Sequence, residues 1–254
     1  MEWNDLKNIE KIGEGSFGHI YKCLYDKKIV AVKVYKSKSV RYEQSIKGSL
    51  DLAKRIKHPY LITCYDYFYD KVENEVCLIS ILEYFDGVHI NVVPNLEKRL
   101  KVYLPQIVAA LKYLHFNKII HRDIKAENIL VTLGKDEKAK LIDYDFLKRT
   151  ETNSFDCKNG TSGTLLYTSP EIFERKSYNY SADLWSLGVT LYYSLSGLMP
   201  FNADDRQGLK DLVLSDFIPD FSMIPFKYVQ IISGLLHKDP SKRLTSSEVL
   251  SLLS

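Results

Sequence analysis

The sequence predicts an α+β fold in two lobes: a small antiparallel β-sheet with one helix, then a larger and mainly helical lobe, within a single domain of 254 residues. Three observations carry this. Apolar and polar residues alternate with period two through the first third. From residue 96 onward, apolar residues recur at three and four. The change falls just after Phe85-Asp86-Gly87, and strands followed by helices imply segregated layers. The lobes are expected at about 1–83 and 88–254, with a hinge at about 84–87.

Short strands are predicted at 8–12, 19–24 and 29–35, separated by a glycine-rich turn and an Asp-Lys-Lys turn. A helix follows, with Ile46, Leu50, Ala53 and Ile56 on one face, stopped by His58-Pro59. Strands at 61–68 and 76–84 complete the first lobe. A long helix at 96–116 runs through Leu100, Tyr103, Leu104, Ile107, Ala110, Leu111 and Leu114. A short β segment and a polar loop come next, and the remainder is expected to be helical.

Bulk properties exclude several function classes. Hydrophobic residues make up 45% and charged residues 26%, which allows a buried core and a soluble surface. The net charge is +3 and the Lys and Arg residues are dispersed, so no nucleic-acid partner is expected. Cys23, Cys64, Cys77 and Cys157 are far apart with no C-x-x-C pair, which argues against a zinc site or a disulfide framework. A reducing compartment fits, and the cytoplasm is expected, with the nucleus left open. The start, Met1-Glu2-Trp3-Asn4-Asp5, lacks the regions of a signal peptide. Segment 184–199 is apolar on all sides, but Ser and Gly interrupt it and Asp183 and Pro200 bracket it. It reads as a buried helix, and no membrane is expected.

Gly13-Glu14-Gly15-Ser16-Phe17-Gly18 is a G-x-G-x-x-G, which alone also fits a dinucleotide-binding turn or a plain flexible hairpin. A dinucleotide turn opens a helix at its third glycine, whereas His19-Ile20-Tyr21-Lys22-Cys23 continues as a strand. The loop therefore reads as a hairpin lid whose glycines let backbone N–H groups approach phosphates. Fifteen residues after Gly18, the apolar strand Val30-Ala31-Val32 ends in Lys33. An inward lysine there is unfavourable unless an anion meets it, and ATP phosphates are the natural anion. His121-Arg122-Asp123-Ile124-Lys125-Ala126-Glu127-Asn128 then matches H-R-D-x-K-x-x-N at each fixed position.

With that motif the chain resembles the eukaryotic-type protein kinases, and Lys125 resembles their serine/threonine branch. The resemblance implies transfer of the ATP γ-phosphoryl group, with Mg2+, to a Ser or Thr hydroxyl of a protein substrate. Asp123 would orient that hydroxyl and accept its proton, and Lys125 would neutralise charge on the moving group. Asn128 and Asp143, the latter in Leu141-Ile142-Asp143-Tyr144-Asp145, would hold the metal. The glycine-rich loop from Gly13 to Gly18, with Glu14, Gly15, Ser16 and Phe17, would cover the phosphates. Ile12, Ile20, Ala31 and Leu130 would enclose the adenine, Leu82 would gate the pocket behind it, and the backbones of Glu83 and Phe85 would bond its edge. Thr164 and Glu127 would dock substrate. Thr161 or Ser162, phosphorylated by an upstream kinase or by autophosphorylation, would pair with Arg122 and Lys148. Glu171 would pair with Arg243, and Asp183 would anchor the catalytic-loop backbone. The resemblance runs from about Ile12 to the C-terminus.

Two positions depart from the family pattern. The family places a glutamate ten residues before the proline of His58-Pro59, to pair with the strand lysine; here Ser49 stands there. Glu43 and Asp51 fall on other faces of that helix, so Glu43 could substitute only if the helix shifted. Asp145 replaces the glycine of D-F-G, which reduces backbone freedom and adds a carboxylate beside the metal site. These departures motivate a second reading, a pseudokinase-like scaffold or allosteric partner. The survival of Lys33, Asp123, Lys125, Asn128 and Asp143 favours an active enzyme. A nucleotide-binding dehydrogenase is the remote third, opposed by the strand after Gly18.

Overall fold

The period-two segments fold into β1 (Lys7–Gly15), β2 (Gly18–Tyr25), β3 (Lys28–Tyr35), β4 (Cys64–Val72) and β5 (Glu75–Glu83). The computed structural model describes residues 2–15, 17–36, 39–149, 154 and 164–253, in two units, Met1–Asp86 and Gly87–Ser254. In the first unit the strands form one antiparallel sheet in the order β1-β2-β3-β5-β4. Two hairpins fix its register. Asp26 and Lys27 take φ of 42° and 62°, and Glu73 and Asn74 take 51° and 70°. Positive φ at both central residues is the two-residue turn whose twist matches the flanking strands.

That register sorts the side chains. Val30, Val32 and Val34 join Leu6, Cys23, Ile79 and Ile81 in a buried cluster on one face. On the other, Lys33 lies opposite both Ile20 and Ser80, and Ala31 opposite Leu82. Ile20, Ala31, Lys33 and Leu82, four of the expected nucleotide contacts, thus share one face, together with Tyr35. Tyr67 and Tyr69 of β4 extend it, being opposite Ser80 and Leu78.

Helix α1 (Val40–Ala53) starts at Ser39, whose Oγ accepts the Tyr42 N–H at 3.2 Å, and buries Ile46, Ser49, Leu50 and Ala53. It stops short of Ile56, which is buried outside the helix. The strand expected from residue 61 begins only at Cys64. Leu61 and Ile62 are buried as loop anchors, and the Leu61 N–H donates to the His58 carbonyl at 3.1 Å. Their apolar character mimics a strand because burial selects hydrophobicity in either conformation.

The second unit contains β6 (Val88–His89), α2 (Leu96–Phe116), β7 (Ile119–Ile120), β8 (Ile129–Val131), β9 (Ala139–Leu141) and β10 (Lys148–Arg149). It continues with α3 (Pro170–Phe173), α4 (Ser181–Ser196), α5 (Arg206–Leu214), α6 (Phe226–Leu235) and α7 (Ser246–Leu253). The predicted apolar stripe of α2 is buried along its length. Small sheets β6-β8-β9 and β10-β7 hold the loops between α2 and α3. Helix α4, the segment weighed as a membrane span, is buried on nearly all sides, with Trp185 fully enclosed. A Cβ on Gly188 would fall 2.9 Å from Leu235 Cβ, so glycine permits α4 to approach α6. Among the described residues, no helix is long and apolar enough to cross a membrane.

Candidate active site

The catalytic-loop residues converge within the second unit. After β7, the chain turns through residues 121–128 into β8, and a buried carboxylate from α4 holds the turn. Asp183 Oδ1 accepts the Arg122 N–H and Oδ2 accepts the His121 N–H, each at 2.9 Å. His115 Nε2 lies 2.8 Å from the same Oδ2. Burial pushes the Asp183 carboxyl up, but the His115 bond and the nearby histidine charges outweigh it and hold the group below the ordinary carboxylate range. His121, fully enclosed, is pushed down by desolvation despite neighbouring acids. Arg122 takes φ 70°, and its Nε donates to the Phe146 carbonyl at 2.6 Å. A left-handed arginine is strained by about 1 kcal/mol or more and persists where neighbours over-determine it.

This scaffold presents Asp123, Lys125, Asn128 and Thr164 as one closed network. Asn128 Nδ2 donates to the Asp123 carbonyl at 2.8 Å and to its Oδ2 at 2.9 Å. Lys125 Nζ lies 3.0 Å from that Oδ2 and donates to Thr164 Oγ1 at 2.9 Å. Thr164 Oγ1 in turn donates to Asp123 Oδ1 at 3.0 Å. Asp123 and Asn128 are buried, at 6% and 5% exposure, so these charge-assisted bonds form with little competition from water. Asp143 follows β9, and the Ile142 N–H donates to the Asn128 carbonyl at 3.1 Å, which sets the two expected metal ligands on adjacent strand ends. The Asp145 N–H donates to Asp143 Oδ1 at 3.1 Å. Asp145 does not adopt positive φ, so this hinge conformation places no left-handed strain on a non-glycine residue. Leu130 lies in β8, half-buried, and Glu127 is exposed. Thr161 and Ser162 lie outside the described residues.

In the first unit the glycine-rich segment closes the β1–β2 hairpin, with Gly15 opposite Gly18. A Cβ on Gly18 would sit 2.0 Å from the Val34 carbonyl oxygen, so only glycine fits there. Glu14 is bound by Lys11 Nζ at 2.7 Å and Lys36 Nζ at 3.1 Å, which hold its carboxyl at about 2. Phe17 stacks on Tyr42 of α1, with centroids 5.5 Å apart. Ile12 is exposed, and Ser16 lies outside the described residues. Lys33 is buried at 7% exposure, with Nζ 5.2 Å from the Tyr35 ring centroid. The Glu83 N–H donates to the Thr63 carbonyl at 2.8 Å, and its Oε2 accepts from Thr63 N–H and Oγ1. Thr63, which bonds Glu83 at the end of β5, carried no sequence signal. Tyr35 did carry one, since residues two apart on a strand share a face.

The family model for the protein kinase domain matches residues 6–252. The chain belongs to the protein kinase domain family. It is 33% identical over 250 residues to "Serine/threonine-protein kinase 36" of Pongo abelii, covering 95% of this chain and 18% of that protein. It is 32% identical over 253 residues to "Serine/threonine-protein kinase TIO" of Arabidopsis thaliana, covering 96% and 19%. Against "Serine/threonine-protein kinase fused" of Drosophila melanogaster it is 32% identical over 249 residues, covering 94% and 30%. The chain thus spans less than a third of the length of these relatives. Protein kinases as a family use ATP and a divalent metal.

In this kinase domain the helix departure has a visible outcome. Ser49 is buried, at 2% exposure, and its hydroxyl donates back to the Ser45 carbonyl at 3.1 Å. Glu43, the sequence's proposed substitute, instead lies near the Tyr69 hydroxyl; burial and the neighbouring carboxylate push the phenol up to about 12. We expect Ser49→Glu to raise kcat/KM for a peptide substrate about tenfold, because a charge-assisted hydrogen bond on Lys33 contributes ~1.5–3 kcal/mol. Steady-state kinetics check this. An unchanged value shows that Lys33 is already held as firmly as a glutamate would hold it.

Proposed function

We propose that this domain transfers the γ-phosphoryl group of ATP, with Mg2+, to Ser or Thr hydroxyls of protein substrates, Asp123 acting on the nucleophile. The observation that carries the proposal is the closed network of Asp123, Lys125, Asn128 and Thr164. It orients a buried carboxylate through neighbours that are themselves held, as positioning-dominated phosphoryl transfer requires. Among the described residues, Asp123 Oδ1 accepts only from Thr164, which leaves it a lone pair for the acceptor hydroxyl. Lys125 supplies the positive charge beside that carboxylate, and Lys33 is assigned to the α- and β-phosphates. The adenine-edge contact assigned to Glu83 falls to its carbonyl, because its N–H already donates to Thr63.

The donors assigned to the metal suit Mg2+. Asn128 turns its Nδ2 to Asp123, so its amide oxygen faces elsewhere, and Asp143 adds a carboxylate. Mg2+ commonly takes one or two such oxygens plus substrate phosphates and water, so a two-residue set suffices. Bound there, the ion would neutralise charge on the phosphates.

The test is transfer of radiolabelled phosphate from ATP to generic Ser/Thr peptides, with and without EDTA. Magnesium-dependent labelling is expected; folded protein that binds ATP and labels nothing would favour the scaffold reading. A phosphate on Thr161, or failing that Ser162, is assigned to the Arg122 and Lys148 pair as the group that orders the activation segment. Thr161→Ala and phosphatase treatment are each expected to lower the rate about tenfold or more, the scale of one or two charge-assisted bonds. Equal rates in all three preparations place the switch elsewhere.

A further inference from the structure

We infer that Lys36 is a positioning residue for the glycine-rich loop: from the end of β3 it grips the β1–β2 turn on both sides and holds it from the sheet face opposite Lys33. The inference rests on the reading that this loop covers the ATP phosphates. Tyr35, the last residue of β3, lies opposite Gly18, so the chain delivers Lys36 beside Phe17. There the Lys36 N–H donates to the Phe17 carbonyl at 3.0 Å, and its Nζ lies 3.1 Å from Glu14 Oε1. One residue thus bonds both Glu14, near the end of β1, and Phe17, just before β2.

The register places this grip behind the loop. Residues directly opposite in an antiparallel pair share a face, and the faces alternate along each strand. Lys33 is opposite Ile20, whereas the preceding residue, His19, is opposite Glu14 on β1 and Val34 on β3, and Tyr21 is opposite Lys11. Val34 belongs to the buried cluster on the face away from Lys33. Lys11, Glu14 and His19 share that face, and so does Lys36, two residues beyond Val34. The Glu14 carboxylate is divided among them: Lys11 Nζ lies 2.7 Å from Oε2, Lys36 Nζ takes Oε1, and His19 Nδ1 stands 3.6 Å from Oε1, too far for a hydrogen bond. The two lysines hold the carboxyl at about 2, so it stays ionised throughout the neutral range. Both lysines and Glu14 are about half exposed, so each pair contributes little to folding. The turn, however, is rich in glycine and has wide conformational freedom, and a network anchored by a backbone bond restricts it. Its effect therefore falls on how well the loop is placed over a ligand, where small displacements matter.

The test is the Kd for ATP with Mg2+, from competition with a fluorescent nucleotide, in variants of the full chain. Lys36→Met, which keeps the backbone N–H and the apolar stem, should raise Kd about two- to fivefold, the scale of an exposed ion pair, with little change in melting temperature. Lys36→Arg should stay within about twofold of wild type. Losing a positive charge weakens the binding of an anion by long-range attraction alone, so Glu14→Gln decides. Removing that negative charge tightens ATP if only the overall field matters, and weakens it about two- to fivefold if the clamp is broken. The double variant should bind no more weakly than the weaker single one, because both remove one interaction. At about 0.5 M salt, which screens the pair, wild type and variants should converge. Wild-type Kd in Lys36→Met, tighter binding by Glu14→Gln, or effects that multiply in the double variant each overturn the clamp. Lys33→Met separates the two levels. If it leaves ATP binding unchanged, or if the wild type binds no ATP, the reading of the nucleotide site is wrong and the inference falls with it; a silent Lys36→Met in a protein that needs Lys33 overturns the clamp alone.

Discussion

Asp123→Asn is expected to abolish the proposed phosphoryl transfer while magnesium-dependent ATP binding persists. The geometry explains why this variant is clean. Donors from Asn128 and Lys125 face Asp123 Oδ2, and Thr164 faces Oδ1. An asparagine can set its amide oxygen toward the two donors and its NH2 toward the Thr164 oxygen, so the network and the fold survive. What disappears is the carboxylate proposed to take the substrate proton. A positioned base contributes roughly 10²- to 10⁴-fold, so transfer should fall to near background. Single-turnover transfer and fluorescent-nucleotide binding, measured on the same preparation, check both halves. Wild-type transfer by the variant would remove Asp123 from the mechanism.

Glu171→Ala is expected to destabilise the domain strongly. Arg243 makes a bidentate pair with Glu171, Nη1–Oε1 at 2.8 Å and Nη2–Oε2 at 3.0 Å, with both residues at 4% exposure. The guanidinium also donates to the carbonyls of Ser181 and His237 and lies 5.2 Å from the Trp185 ring centroid. Removing the carboxylate leaves a buried cation with no counter-charge in that pair, and breaking such a pair costs about 3–5 kcal/mol. For a domain of this size that corresponds to roughly 6–20 °C in melting temperature. A double variant, Glu171→Ala with Arg243→Met, should recover much of the loss, because the stranded charge goes with the arginine. Thermal denaturation of both proteins decides. Equal melting of wild type and single variant would show that the pair contributes nothing.

The sequence alone determined the parts whose chemistry is local. Alternation with period two marked three of the five main strands within a few residues, since a half-buried pleat imposes that pattern directly. The stripe from Leu100 to Leu114 marked α2 for the same reason at helical period. The Asp123, Lys125 and Asn128 spacing was legible because one short loop carries all three. Burial without regular structure is less legible. Leu61 and Ile62 read as strand but anchor a loop, and Ile56 read as helix but lies beyond it.

Only the tertiary structure decided which partners the polar groups take. Helical arithmetic showed that Ser49 replaces a carboxylate, but it could not show that Asp51 accepts from Tyr67 of β4, or that the Lys33 ammonium lies beside the Tyr35 ring. Nor could it show that Asp145 lies without left-handed strain. The reason is physical. An apolar side chain gains from burial against any apolar neighbour, so its preference is written in sequence period. A hydrogen bond or cation–π contact needs one partner at one distance and angle, and that partner is supplied by a segment distant in the chain or by a register that exists only once the sheet has formed.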